Sequence, residues 1–300
     1  MTVLEAIQKS ADFLGKKSVE SSRLNAELLL AHQLKLPRMK LYLNFERVLT
    51  AAETDGYREL VKRRGQREPL QHITGSTNFC GCEIAVNRHA LVPRPETELL
   101  AELGWQFLAE RRTPIRRETE NATHHAESEF GAPTALDFGT GTGCIAIALA
   151  VKSQDAKISA LDLSADALSL AKQNAANNKA AERIEFFQGD GFTALPGGAR
   201  FDLIISNPPY IASTEIATLE PEVRDFDPRA ALDGGADGLD FYRRLAKEAA
   251  AFLKADGKIM VEFGDGQADV IKNIFESEKW IVEAVKEDYS HRARILVARF

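Results

Sequence analysis

The sequence predicts an α/β protein: a mostly parallel sheet with helices on both faces, preceded by a small all-α bundle and a β-hairpin linker. Three observations carry that expectation. From Thr134 onward, short apolar runs alternate with helix-period stretches, the pattern of a parallel sheet built from strand-helix-strand units. Up to about residue 70, apolar residues recur at three- and four-residue steps with no strand pattern between them. Between these regions, brief β-type runs are broken by Gly75, Gly81 and Asn87.

Taken in order, "LEAIQKSADFL" sets Leu4, Ile7, Ala11 and Leu14 on one helical face. "SSRLNAELLLAHQLKL" opens on a Ser cap and stops at Pro37. "KLYLNFERVL" and "AAETDGYRELVKRRGQ" extend the helical reading, the second closing on Gly65. These make an expected helical domain over 1–70. A hairpin linker follows over 71–95, ending at Pro93-Arg94-Pro95, and an α/β domain fills 96–300. Its first helix runs from Glu96 to about Arg111. Residues 112–132 are polar, charged and without period, and read as a surface loop or disordered insertion. His124 and His125 inside it read as solvated loop residues. The strands "TALDF", "KISALDL", "RIEFFQ", "FDLIIS", "GKIMVEF", "WIVEAVKE" and "ARILVARF" follow, with "GCIAIALAVK", "SADALSLAKQNAANN" and "DFYRRLAKEAAAFLK" as helices among them.

The bulk properties narrow the function classes. At 300 residues and 44% hydrophobic, the chain has length for two domains and apolar content for a sizeable core. A formal net charge of −6 leaves no global basic field to hold nucleic acid. The N-terminal helix lacks the apolar centre of a signal peptide, and no run approaches the ~20 apolar residues of a membrane span. A cytoplasmic protein is expected, with a monomer as the default. Cys80, Cys82 and Cys144 are odd in number and lack a second Cys/His pair at ligand spacing. They read as buried thiols, and no metal is expected.

The chemistry concentrates at strand ends. "LDFGTGTGCIAIALA" puts Gly139, Thr140, Gly141, Thr142 and Gly143 between the first strand and first helix of the sheet, where the chain turns tightly and a ligand can approach the backbone. The spacing is G-x-G-x-G rather than G-x-G-x-x-G, which weakens a dinucleotide reading. Asp162 ends the second strand, 162 − 143 = 19 residues past the last glycine, where a carboxylate can accept from ribose hydroxyls. Asp190 follows the third strand, placed to meet the exocyclic amine of an adenine. Asp137 either orients the loop or caps the next turn. This constellation resembles class I S-adenosylmethionine-dependent methyltransferases of Rossmann-like fold with a seven-stranded sheet. The resemblance implies S-adenosyl-L-methionine as cofactor, with Gly191 and Asn207 completing its binding set.

After the fourth strand, Asn207-Pro208-Pro209-Tyr210 is similar to the [D/N]-P-P-[Y/F/W] motif of amino-methyltransferases. An amide or aromatic amine is a poor nucleophile because its lone pair is conjugated. The Asn207 side-chain oxygen and the Pro208 carbonyl would accept its two N–H bonds and aim the nitrogen at the methyl donor. The prolines hold that carbonyl rigidly, and Tyr210 can pack its face on a planar group.

"RRGQREPLQHITG", "LVPRPETELL", the glycine loop and "EPEVRDFDPRAALDGGADGLDFYRRL" together closely resemble the peptide chain release factor glutamine N5-methyltransferases, the PrmC/HemK family. That resemblance implies methylation of the Gln side-chain amide in the Gly-Gly-Gln motif of class I release factors, with the helical domain gripping the factor. Many members carry an aromatic where this chain has Gly191, which leaves open what covers the adenine. "RPETE" is either a fold over the methionine end of the cofactor or a helix start, and "DGGADGLDFY" either a substrate-side loop or a turn capped through Asp240. Two alternatives compete. A DNA or RNA adenine or guanine amino-methyltransferase would use the short basic run Lys62-Arg63-Arg64 and Arg67. A binding module would hold the cofactor without turnover, which the intact Asn-Pro-Pro-Tyr argues against.

Overall fold

The computed structural model of the chain describes residues 1–111 and 132–300. The expected insertion, with its two histidines, lies outside the described residues except for Ala132. Contacts divide the chain into two units. One comprises residues 1–76, 86–88 and 218–227, the other residues 77–85, 89–217 and 228–300.

The first unit contains α1 (Val3–Lys16), α2 (Ser22–Leu34), α3 (Arg38–Tyr42), α4 (Ala51–Gly65) and α5 (Leu70–Thr74). Thr2 and Glu5 start α1 with a reciprocal capping box, each side chain accepting from the other's backbone N–H. Ile7 and Leu14 then meet Leu29, Leu30 and Tyr57 in one core. The Tyr57 hydroxyl donates to the Ala26 carbonyl at 3.0 Å, which satisfies a polar group deep in that core.

Two helical expectations fail here. Ser21 adopts a left-handed conformation and its hydroxyl caps nothing. Residues 43–49 are not helical, because the start of α1 uses them. Val3 N–H donates to Arg47 O, Leu4 N–H to Phe45 O, and Leu49 N–H to Met1 O. Donors that α1 cannot satisfy internally thus find carbonyls on this segment, which a continuous helix would have withheld.

The hairpin is β1 (Ser76–Phe79) and β2 (Cys82–Ala85), and the second unit continues through α6 (Pro95–Glu110), β3 (Thr134–Phe138), α7 (Cys144–Lys152), β4 (Lys157–Asp162), α8 (Ala165–Asn177), β5 (Ile184–Gln188) and β6 (Phe201–Ser206). After α9 (Pro221–Arg224), which lies in the first unit, come α10 (Asp240–Glu248), β7 (Leu253–Glu262), α11 (Ala268–Ser277), β8 (Ile281–Glu287) and β9 (Ala293–Arg299). Among the described residues the large sheet has seven strands in the order β5-β4-β3-β6-β7-β9-β8. The first five are parallel, and β9 is antiparallel to both β7 and β8.

Alternation along the strands splits the apolar side chains between two faces. Leu136, Ile204 and Ile259 join Tyr242, Leu245, Ile271 and Phe275 of α10 and α11 in one core. Leu203 and Ile205 point the other way, toward α6 and α7, where a Cβ on Gly104 would sit 3.0 Å from Ile205 and Leu149. The helix expected to run through "AAAFLK" stops earlier, at Glu248. Trp280 Nε1 donates to Ala246 O at 2.7 Å, and Leu253 already pairs with Phe201 in the sheet. A rival donor on the helix carbonyl and a strand register close behind end the helix.

Asn174 of α8 is fully buried and ties the hairpin to the glycine loop. Its Oδ1 accepts from Ala85 N–H at 2.8 Å, while its Nδ2 donates to Ala85 O and Thr142 O at 3.0 and 2.9 Å. Replacing it with Leu strands three backbone groups at once. Asn174→Leu is expected to cost about 3 kcal/mol in urea unfolding, the scale of buried polar groups left without partners. An unshifted urea midpoint would show that Asn174 is a bystander.

Candidate active site

Parallel strands end on the same edge of a sheet, and that edge holds a cavity of about 380 Å³. Thr140 and Gly141 line it from the loop after β3, Asp162 from the end of β4, Asp190 and Gly191 from beyond β5, and Asn207 from beyond β6. Gly139, Thr142 and Pro209 also reach it. Of the residues expected to bind cofactor or substrate, Gly143, Pro208 and Tyr210 are not on its wall. Gly143 is the N-cap of α7, held at φ 81, where a Cβ would press within 3.0 Å of Ala171. Pro208 is buried, and Tyr210 packs against the core beneath α10 and α11.

The loop spends its own donors. Gly139 and Thr140 N–H both go to Leu161 O at 2.9 Å, Gly141 N–H goes to Asp162 Oδ2 at 2.8 Å, and Gly143 N–H goes to Thr140 O at 2.8 Å. An anion cradle needs those donors pointing outward. This loop instead presents a smooth wall, flanked by Leu91, Phe138, Leu161 and Leu163. Asp162 also accepts from Ser164 N–H at 2.9 Å, so each carboxylate oxygen carries one backbone bond and keeps capacity for a second.

Asp137, ambiguous in the sequence, does both jobs. It is fully buried, and its Oδ2 accepts from Thr140 Oγ1 at 2.6 Å and from Ala146 N–H at 3.1 Å, fixing the loop and capping α7 together. Its Oδ1 has no hydrogen-bond partner. Burial pushes its carboxyl up to about 7, against the pull of those two bonds.

Asp190 shares its carboxylate with Arg244, whose Nη1 lies 2.5 Å from Oδ1 and whose Nη2 donates to Asp190 O at 3.0 Å. That guanidinium fills the space where residue 191 lacks a side chain, since a Cβ there would fall 2.2 Å from Arg244 Nη2. Phe192 turns inward instead and stacks on Phe252 in the core, ring centroids 4.7 Å apart.

The segment after Asn-Pro-Pro-Tyr explains "DGGADGLDFY". Ile211 N–H donates to Leu232 O and Gly234 N–H to Ile211 O, so residues 232–234 run alongside the motif as a parallel bridge. A Cβ on Gly238 would lie 2.4 Å from Tyr210 O, so the backbones meet where only glycine fits. Asp240 does not cap α10: Leu239 occupies that position and Asp240 pairs with Arg243. In "RPETE", Pro95 begins α6 with Glu96 and Glu98 in the first turn, Glu98 Oε1 accepts from Cys80 N–H at 2.9 Å, and Arg94 lies on the cavity wall.

Three residues on or beside the site escape a linear reading. Thr97 lies between two acids that draw attention from it, yet it lines the cavity and accepts from Asn207 Nδ2 at 3.0 Å. Arg244 is one charge on an exposed helix in sequence. Glu262 ends the apolar run "KIMVEF", and a carboxylate closing a buried strand is the signal that would have found it.

Two family models match the chain: PrmC N-terminal domain over residues 5–75 and Methyltransferase small domain over residues 123–220. Release factor glutamine methyltransferase of Geobacter sulfurreducens is 42% identical over 274 residues, 91% of this chain and 88% of that protein. Its counterpart in Chlorobaculum tepidum is 39% identical over 293 residues, 96% of this chain and 94% of that protein. Among solved structures, the hMettl16 catalytic domain in complex with MAT2A 3'UTR hairpin 6 matches in fold, with TM-score 0.50 and 14% identity over 72% of this chain and 75% of that one. Strand order and a cavity at the carboxyl edge of the sheet define a class I methyltransferase. At this identity over nearly its whole length, the chain belongs to the release factor glutamine methyltransferase family.

Asp137 gives the site a pH signature. Its folded pKa of about 7 exceeds its ordinary 3.8, so the native state binds the proton more tightly than the unfolded chain. Its contribution to stability is complete below pH 3.8 and is lost as pH rises through about 7. Asp137→Asn is therefore expected to remove roughly 2–3 kcal/mol of the stability difference between pH 5 and pH 8. Urea unfolding of both proteins at the two pH values measures it, and identical differences would refute the assignment.

Proposed function

We propose that the chain methylates the side-chain amide nitrogen (N5) of the Gln in the Gly-Gly-Gln motif of class I peptide chain release factors, with S-adenosyl-L-methionine as the methyl donor. The observation that carries this reading is that Asn207 stands on the wall of the same cavity as Asp162 and the glycine loop. Family membership supplies the substrate.

The residues fit the cofactor. A loop with four of its five backbone donors spent suits a ligand without phosphate, and Asp162 keeps lone pairs for ribose hydroxyls. The apolar walls suit the uncharged body of a nucleoside, and Arg244 over Gly191 is assigned the cover of the adenine that an aromatic would otherwise supply. When bound, the cofactor offers an electrophilic methyl group on a sulfonium.

The chain's own work is alignment. Asn207 Oδ1 on the cavity wall and the Pro208 carbonyl, in the peptide link to the wall residue Pro209, accept the two N–H bonds of the Gln amide, which holds the nitrogen in line and drains the positive charge that develops on it. That nitrogen gains a carbon and later gives up one proton to water, so no strong base is needed. Tyr210, held by Gln267 Nε2 on its carbonyl at 2.9 Å, keeps the motif's far end still.

The basic run that a nucleic-acid substrate would need is already neutralised. Arg63 pairs with Glu68 at 2.6 Å, Arg64 with Glu222 at 2.8 Å, and Arg67 with both Glu220 and Glu222 at 2.5 Å. Residues 218–227 therefore supply carboxylates to the helical unit, and the arginines work as struts rather than as a phosphate track.

Labelled S-adenosyl-L-methionine, a purified class I release factor and a Gln→Ala copy of that factor test the proposal. Label is expected only on the intact factor, and Asn207→Ala is expected to lower the rate by about 10²–10³-fold. Label on nucleic acid and on neither factor would overturn the substrate.

A further inference from the structure

Asn207 can accept from a substrate amide only if its own amide is turned oxygen-outward. The two ends of an Asn amide have nearly the same shape, so the surrounding hydrogen bonds must choose between them. Toward the protein, Nδ2 donates to Thr97 Oγ1 at 3.0 Å. A hydroxyl has one proton, and the Thr97 hydroxyl and the Asn207 side chain both hold the pKa of the Glu262 carboxyl down, the effect of donors directed at it. With its proton committed, Thr97 Oγ1 faces Asn207 as an acceptor.

Glu262 reaches this place by register. Ser206 pairs with Val261 in parallel, so the next residues, Asn207 and Glu262, leave neighbouring strands side by side. Glu262 is 3% exposed, and its Oε2 has no hydrogen-bond partner. Glu96 of α6, Arg294 of β9 and the Tyr210 and Tyr242 phenols are the other ionisable groups around it. Burial pushes its carboxyl up to about 7 despite the bonds from Thr97 and Asn207. A half-satisfied buried carboxyl costs folding free energy, and that cost marks a site where function opposes stability.

We infer that Thr97 and Glu262 are positioning residues that lock the Asn207 amide with its NH2 toward the protein and its oxygen toward the cavity. The inference rests on the reading of Asn207 as the acceptor of the substrate amide. Either positioning residue acts through Asn207 and touches neither reacting atom.

The test uses the full chain and four variants: Thr97→Val, Thr97→Ser, Glu262→Gln and Asn207→Ala. The first readout needs no substrate. In a 15N–1H spectrum the Asn207 side-chain NH2 signal, identified by its loss in Asn207→Ala, is expected to be protected from solvent exchange, and to lose that protection in Thr97→Val but not in Thr97→Ser. An unprotected signal in the parent protein overturns the lock, whatever the substrate proves to be. In the release-factor assay, Thr97→Val is expected to lower kcat about 10²-fold, the cost of roughly an ångström of misplacement, with S-adenosylhomocysteine affinity held within about twofold. Thr97→Ser restores the rate. In an Asn207→Ala background, Thr97→Val is expected to change kcat less than about twofold, because the two act as one unit. Glu262→Gln is expected to unfold at the same or higher urea concentration at pH 8 while turning over more slowly, the opposite of a merely structural role. Equal losses from Thr97→Val with and without Asn207, or a parent-like rate in Thr97→Val, overturn the inference. Protection of the amide together with no label on any release factor would instead fault the substrate assignment and leave the lock standing.

Discussion

Parallel pairing of β5, β4, β3, β6 and β7 is the constraint on which the site depends. It brings five carboxyl ends to one edge of the sheet, and each end delivers one part: the glycine loop after β3, Asp162 on β4, Asp190 beyond β5, Asn207 beyond β6 and Glu262 on β7. An antiparallel neighbour among them would carry its residue to the opposite edge. The pair that is antiparallel, β9 and β8, lies beyond β7 and contributes no wall of the cavity.

Within that frame the loop is fixed by protein rather than held open for a ligand. Leu161 O takes two of its donors and Asp162 a third, so β4 acts as a splint for the turn after β3. From below, Asp137 holds Thr140 and the first turn of α7, and Asn174 holds Thr142 from the side. A phosphate would find four of the five loop donors already committed. A ligand that needs shape, apolar walls and a single pair of hydroxyl acceptors would find them preformed, and little conformational entropy would be spent on binding it.

What the sequence disclosed follows the range of the interactions involved. Gly139 to Thr142, Asp162, Asn207 and Pro209, which the structure brings to one cavity, are legible because each belongs to a local pattern at the end of a run whose strand character is also local. Thr97 and Glu262 are not, because their meaning lies in a contact across 110 positions to Asn207 and in a one-residue strand register. Gly191 leaves a space that Arg244, 53 residues downstream, fills. The helix errors have the same origin: residues 43–49 have helical periodicity but supply carbonyls to α1, and "AAAF" has helical composition but loses its turn to Trp280.

Two buried carboxyls, Asp137 and Glu262, are each left with one oxygen unpartnered, and burial pushes both up to about 7. A fold selected only for stability would replace them with apolar residues or complete their hydrogen bonds. Asp137 is explained by what it holds, a loop hydroxyl and a helix terminus that would otherwise be loose. The Glu262 carboxyl, by contrast, bears on Thr97 and Asn207, both at the cavity. A costly carboxyl that bears on Thr97 and Asn207 is accounted for, on the proposed reading, by the orientation of the Asn207 amide, and that places the origin of the motif's geometry one layer behind the residues that display it.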